Sequence, residues 1–144
     1  MSREFAEHYL EEAKDRLTSG RRALEEGRHG TSIFYSQECV EFAVKAVMET
    51  LSIKYPPVHD VSDLVLKLEK DTRLPPWFKK RARQVAKVVA ELASKRIISR
   101  YGDQIRKIPP SKLFDRGDAE RAVADAEEVY ELSRKFVKWW FKER

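Results

Sequence analysis

Apolar residues recur at helical spacing along most of this chain, and the places where the period fails divide it into elements. From about Arg3 to Glu26, Phe5, Tyr9, Ala13, Leu17 and Leu24 share one stripe, with Glu and Arg opposite. "EEGRHGTS" breaks the period. Gly27 suits a helix C-terminus, Gly30 keeps the turn loose, and Thr31 or Ser32 can cap the next helix. That second helix, from about Ser32 to Ser52, is patterned differently. Its apolar positions, from Tyr35 through Cys39, Ala43 and Val47 to Leu51, cover well over half the circumference, whereas a surface helix needs a stripe of roughly 100°. Such a helix is buried on two sides, at the centre of a bundle or between the bundle and a second subunit. Gln37, Glu41 and Lys45 run up its remaining arc at four-residue spacing. They read as a salt-bridged, solvated edge, with Glu41 and Lys45 in the favourable i,i+4 order. If that edge enters a subunit seam, they help to set its register.

"SIKYPPVHD" is a connector, because Pro56 and Pro57 forbid helix and hold the backbone before them extended. Asp60 or His59 then starts a short third helix whose Val61, Leu64, Val65 and Leu68 face inward. Pro75 or Pro76 opens a fourth, reaching about Ser99, with Phe78, Ala82, Val85, Val88, Val89 and Leu92 buried. Its opposite side carries Lys79, Lys80, Arg83 and Lys87. The loop from Arg100 to Gly117 exceeds the usual span between packed helices, and loops of that length tend to be functional or mobile. Asp118 caps a last helix with Ala122, Ala126, Val129, Ser133, Phe136 and Trp140 on one face. Trp139 and Phe141 flank that face, so this end is apolar nearly all round and has more to pack against than its own bundle. The expectation is an all-α, up-and-down bundle of about five helices.

Composition changes this picture in three ways. The chain's 144 residues suit a single domain spanning 1–144. The 37% of charged residues, the absence of Asn and the wealth of Lys, Arg and Glu point to a thermophilic source. An acidic N-terminus and the lack of any long apolar run point to a cytoplasmic protein with no membrane segment. The net charge of +5 is unevenly spread: Pro76 to Lys112 holds eleven basic residues against Glu91 and Asp103, a net of +9. That concentration favours a phosphate-bearing or acidic partner, or else a basic face that answers acidic faces elsewhere in the fold.

Candidate chemistry is sparse. His8, His29 and His59 fall in three elements with no ligand spacing, so no metal is expected, and no Gly-rich phosphate loop appears. Cys39 sits on an apolar face, which suits a buried thiol better than a nucleophile. His59-Asp60 either starts the third helix or supplies an acid/base group. "SRYGD", Ser99 to Asp103, is the candidate binding spot. Arg100 can clamp a phosphate, Tyr101 can stack on a base, and Asp103 can orient the arginine or accept from a sugar hydroxyl. Alternatively Arg100 pairs with Asp103 and Tyr101 plugs the loop onto the core.

Three motifs in order resemble one family. "YSQECVEFAVKAVMETL" is similar to the second-helix signature of HEPN domains through Tyr35, Gln37, Glu41, Ala43, Lys45 and Ala46. "PPVHDVSDLV" resembles that family's entry to helix three through His59, Val61 and Leu64. "SRYGD" resembles its Arg-Tyr-Pro-Asp segment, with Gly102 in place of Pro. The resemblance spans about residues 5–140. It implies a helical bundle that often dimerises, with Cys39, Ala43, Val47, Trp139 and Phe141 as interface residues. It also implies either a metal-independent RNase with an Arg-x4–6-His motif, or an inactive partner of a minimal nucleotidyltransferase in a module like a toxin–antitoxin pair. Some members bind nucleotides. No His follows Arg100 at the motif spacing, and Arg22 and His29 match it only at a turn where the family does not place its site. The expectation is therefore a homodimeric, non-catalytic partner without cofactor, binding nucleotide or RNA through Arg100, Tyr101, Asp103, Lys79, Lys80, Arg83 and Lys87. The rivals are an RNase with a degenerate site made of His59, Arg100 and Asp103, and a scaffold that only dimerises.

Overall fold

Four long helices alternate in direction, and short helical elements connect them. The computed structural model describes residues 3–142. The helices are α1 (Arg3–Glu25), α2 (His29–Leu51), α3 (Ser62–Lys67), α4 (Pro76–Lys79), α5 (Ala82–Tyr101), α6 (Pro110–Leu113) and α7 (Arg116–Lys142), with a 3-10 turn at Leu68–Lys70. Arg21, late in α1, pairs with Glu127, near the middle of α7, while Arg3, at the start of α1, stacks its guanidinium over Phe141, at the end of α7. The two helices are therefore antiparallel. The fold class is the all-α bundle expected, with two more short helices than the apolar period reveals.

The wide apolar face of α2 is covered from within the same chain. It packs against α1, α7 and α5 at once. Cys39, Ala43 and Val47 have no exposed surface, and the Cys39 thiol points at the Ala126 carbonyl of α7. As interface residues these three are corrected: buried inside one subunit, they have nothing to offer a second. Burial pushes the Cys39 thiol up to about 12 against a weaker pull from Arg21, so it is no nucleophile. Trp139 and Phe141 are half-buried, Trp139 against Trp77 and Phe136 and Phe141 beneath Arg3.

The element boundaries differ from the sequence expectation where tertiary contacts decide them. α2 begins at His29 rather than Ser32. Gly27, at φ +75, makes the turn, whereas Gly30 lies inside the helix. A Cβ on Gly30 would sit 2.4 Å from the Ser99 carbonyl, so this glycine admits the end of α5. The expected fourth helix is broken at Lys80–Arg81 into α4 and α5. Pro76 opens α4, Phe78 drops into the core against Phe136 with ring centroids 5.3 Å apart, and α5 then packs along α3. Asp118 does not cap α7 alone. Asp115 accepts from the Asp118 N–H and Asp118 accepts from the Asp115 N–H, each at 2.9 Å, a reciprocal capping box. Among the described residues no helix is long and apolar enough to cross a membrane.

Candidate functional site

One face of α2 carries Phe34, Glu38, Glu41 and Lys45 at i, i+4, i+7 and i+11, with Gln37 beside them. It is not a solvated edge. Gln37 is 2% exposed and Lys45 8%. Three other elements cover them: α1 through Arg16, α5 through Arg96, and the connector before α3 through Val58 and His59. The Glu41 carboxylate takes Lys45 Nζ on one oxygen at 2.7 Å. Its other oxygen takes Gln37 Nε2 at 3.0 Å and His59 Nδ1 at 2.8 Å. Lys45 also donates to the Val58 carbonyl at 2.9 Å. The Gln37 carbonyl accepts from Arg96, and Glu38 holds Arg96 at 3.3 Å and Arg16 at 3.2 Å. Burial raises the Glu41 pKa, but the donors from Lys45, Gln37 and His59 outweigh it, so the carboxyl titrates below its ordinary range. This ladder staples the connector and α5 onto α2.

At the foot of the ladder lies a polar cleft of about 550 Å³ between α1, α2 and α5. Asp15 and Arg16 line it from α1, Phe34 and Glu38 from α2, and Arg100 and Tyr101 from α5. The Phe34 ring has the Arg96 guanidinium 4.5 Å and the Arg100 guanidinium 4.4 Å from its centroid. These cations differ in availability. Arg16 is held by Glu12, Asp15 and Glu38, and Arg96 by Glu38 and Gln37. Arg100 has no carboxylate partner among the described residues, and Tyr101 beside it is 62% exposed.

Asp103 forms no ion pair with Arg100, so it does not orient that guanidinium. Its Oδ1 accepts the N–H groups of Ile105 and Arg106 at 3.1 and 3.0 Å, shaping the tip after α5. The tip is closed by paired backbone bonds between Asp103 and Ile108. Gly102 stands at φ +76, and a Cβ there would meet the Ile108 carbonyl at 2.3 Å. Proline, fixed near −65°, cannot adopt that backbone, which accounts for glycine at this place in the motif.

The positive segment is not one surface. Arg83 pairs with Glu69 at 3.1 Å, Arg81 with Glu128 at 3.1 Å, and the charge of Lys79 acts on Asp71. Lys87 lies thirteen residues before Arg100 on α5, about 20 Å along the axis, and 13 steps of 100° turn it to another side. Lys79, Lys80, Arg83 and Lys87 therefore do not join Arg100. His59 does share the ladder face, but its partner Glu41 is two turns of α2, about 10 Å, beyond Phe34. Sequence reasoning missed Phe34, Arg16, Glu38 and Arg96. The shared helical face of Phe34 with Glu38 and Glu41 was the available signal. No group of His, Cys, Asp and Glu among the described residues is arranged to hold a metal.

The bundle and its motifs have relatives. A family model described as HEPN domain matches residues 6–136. A Methanocaldococcus jannaschii protein named "Putative toxin MJ1304" is 25% identical over 136 residues, covering 93% of this chain and 89% of its own. ST0689, described as an archaeal HEPN homologue, superposes with a TM-score of 0.69 at 22% identity, over 92% of this chain and 98% of its own. TT1696 from Thermus thermophilus gives a TM-score of 0.69 at 25% identity, over 90% and 96%.

Proposed function

This chain belongs to the HEPN domain family, and from that premise we propose that it is the non-catalytic member of a toxin–antitoxin-like module. Its partner is a minimal nucleotidyltransferase, and it engages nucleotide or RNA through the cleft at Arg100. The relative named "Putative toxin MJ1304", matched over 89% of its own length, supports the module. The observation that carries the ligand is the unanswered Arg100 guanidinium, held against Phe34 beside the exposed Tyr101 at the mouth of a polar cleft. A phosphate there gains a bidentate donor without breaking an existing ion pair, and Tyr101 offers a stacking face. Ile105, Arg106 and Lys107 stand where the resemblance would put the histidine of an RNase, which supports a binding role. Dimerisation, under this reading, uses surface residues such as Phe141 rather than Cys39.

Binding of ATP, GTP and a short RNA is measured at two salt concentrations by calorimetry. Saturable binding that weakens with salt is expected. No binding of any of the three at low salt removes the ligand from the proposal.

One observation favours a second reading. Glu41 accepts from His59 Nδ1, which leaves the other ring nitrogen as a base on an exposed residue. In that reading the chain is a metal-independent RNase with His59 as base and Arg100 on a phosphate further along the strand. RNA cleavage that survives EDTA and disappears in both His59→Ala and Arg100→Ala would establish it. Intact RNA after incubation with the purified protein eliminates it.

A further inference from the structure

The end of the bundle opposite Arg100 carries a second concentration of cations and aromatic rings. The last turns of α7 present Arg134, Lys135, Lys138 and Lys142. Arg134 is answered by Glu131 at 3.3 Å, whereas Lys138 has no carboxylate partner among the described residues. Lys135, Lys138 and Trp139 lie at i, i+3 and i+4 and so share one side of the helix. Facing them is Trp77. Pro76 starts α4 and Phe78 is buried, which turns Trp77 outward onto α7. The Trp77 and Trp139 rings meet edge to face, 6.2 Å between centroids and 87° apart. Lys135 Nζ lies 4.2 Å from the Trp77 centroid. Together with Arg134 and Lys138 they line a cleft of about 270 Å³.

We propose that this cleft is a second, separate contact for single-stranded nucleic acid, with a base stacked on the Trp139 ring and edge-on to Trp77, and Lys135 and Lys138 on the flanking phosphates. Flat π faces beside exposed ammonium groups suit a strand of any sequence, because every base has a face and every linkage a charge. An acidic peptide would use the lysines and leave the indole faces idle. The contact is independent of the Arg100 cleft. Arg3 lies by Phe141 at one end of α1 and Arg16 lines the Arg100 cleft thirteen residues on, about 20 Å away.

All three tryptophans of the chain, Trp77, Trp139 and Trp140, belong to this end, so indole emission reports it and not the Arg100 cleft. The full chain is titrated with a short oligouridylate and, in a parallel arm, with uridine monophosphate. We expect saturable quenching by the oligomer, falling with salt at a log–log slope of about −1.4 for two phosphate contacts. Quenching should vanish in Lys135→Glu/Lys138→Glu, drop at least fivefold in affinity in the milder Lys138→Gln, and persist in Arg100→Ala. Thermal unfolding of each variant confirms that it is folded. Absence of quenching at low salt, or quenching unchanged in folded lysine variants, overturns the proposal. Loss of the signal in Arg100→Ala overturns its independence, and equal quenching by the mononucleotide overturns the strand.

Discussion

The polar ladder of α2 and the basic stripe of α5 look alike as text and differ in space. Each is a run of charged side chains at helical spacing opposite an apolar face. On α2, however, Glu41 meets Lys45, Gln37 and His59 at once, and Lys45 is 8% exposed. On α5, Arg83 reaches one carboxylate, on Glu69, and Lys87 stands in solvent. What separates them is cover. The connector, α5 and α1 close over the first, and nothing closes over the second. A charge at a given angle on a helix gains structural importance from the elements folded across it.

Substitutions should separate the two regions sharply. Glu41→Ala leaves the Lys45 charge buried without its counter-ion and Gln37 Nε2 without its acceptor, and should cost about 3 kcal/mol in denaturant unfolding. A loss under 1 kcal/mol would place the ladder in solvent after all. Gly102→Ala forces a Cβ into the Ile108 carbonyl and a side chain into positive φ, so a smaller loss of about 1–2 kcal/mol is expected. Because it acts at the tip, it should also weaken ligand binding. Acid should find the ladder too. Glu41 titrates below its ordinary value of 4.5 when folded, so its stabilising share is intact above that pH and is lost as pH falls through the lower folded value. Unfolding free energy measured from pH 6 to 2 should drop below about 4.5, and Glu41→Gln should flatten that drop. At the small end, Lys87→Glu should change stability by no more than about 0.5 kcal/mol.

Much of the bundle was legible because apolar periodicity needs no partner to be seen. The stripes through Ala13, Leu17, Val85, Val89, Ala122 and Ala126 all point inward. The excess apolar width of α2 was legible too, although its cover is the same chain rather than a second one. The break at Lys80–Arg81 carries no glycine or proline. It results from Phe78 seating on Phe136, a contact between residues 58 positions apart. The site was half legible. Arg100 and Tyr101 stood out by type and place. Phe34 could not be matched to Arg100, because their pairing depends on the end of α5 meeting the start of α2 over Gly30. The turn role of Asp103 was hidden for a local reason: its Oδ1 is used by backbone N–H groups two and three residues on.

The most direct test sets one cation from each kind of position against the other. Fluorescence anisotropy of a labelled short RNA is measured with the wild-type chain, Arg100→Ala and Arg83→Glu in the same low-salt buffer. Loss of a charge-assisted phosphate contact at Arg100 should raise Kd about tenfold or more, while Arg83→Glu should change it by less than about threefold. Equal effects, or a larger one at Arg83, would contradict the assignment of the ligand to the Arg100 cleft.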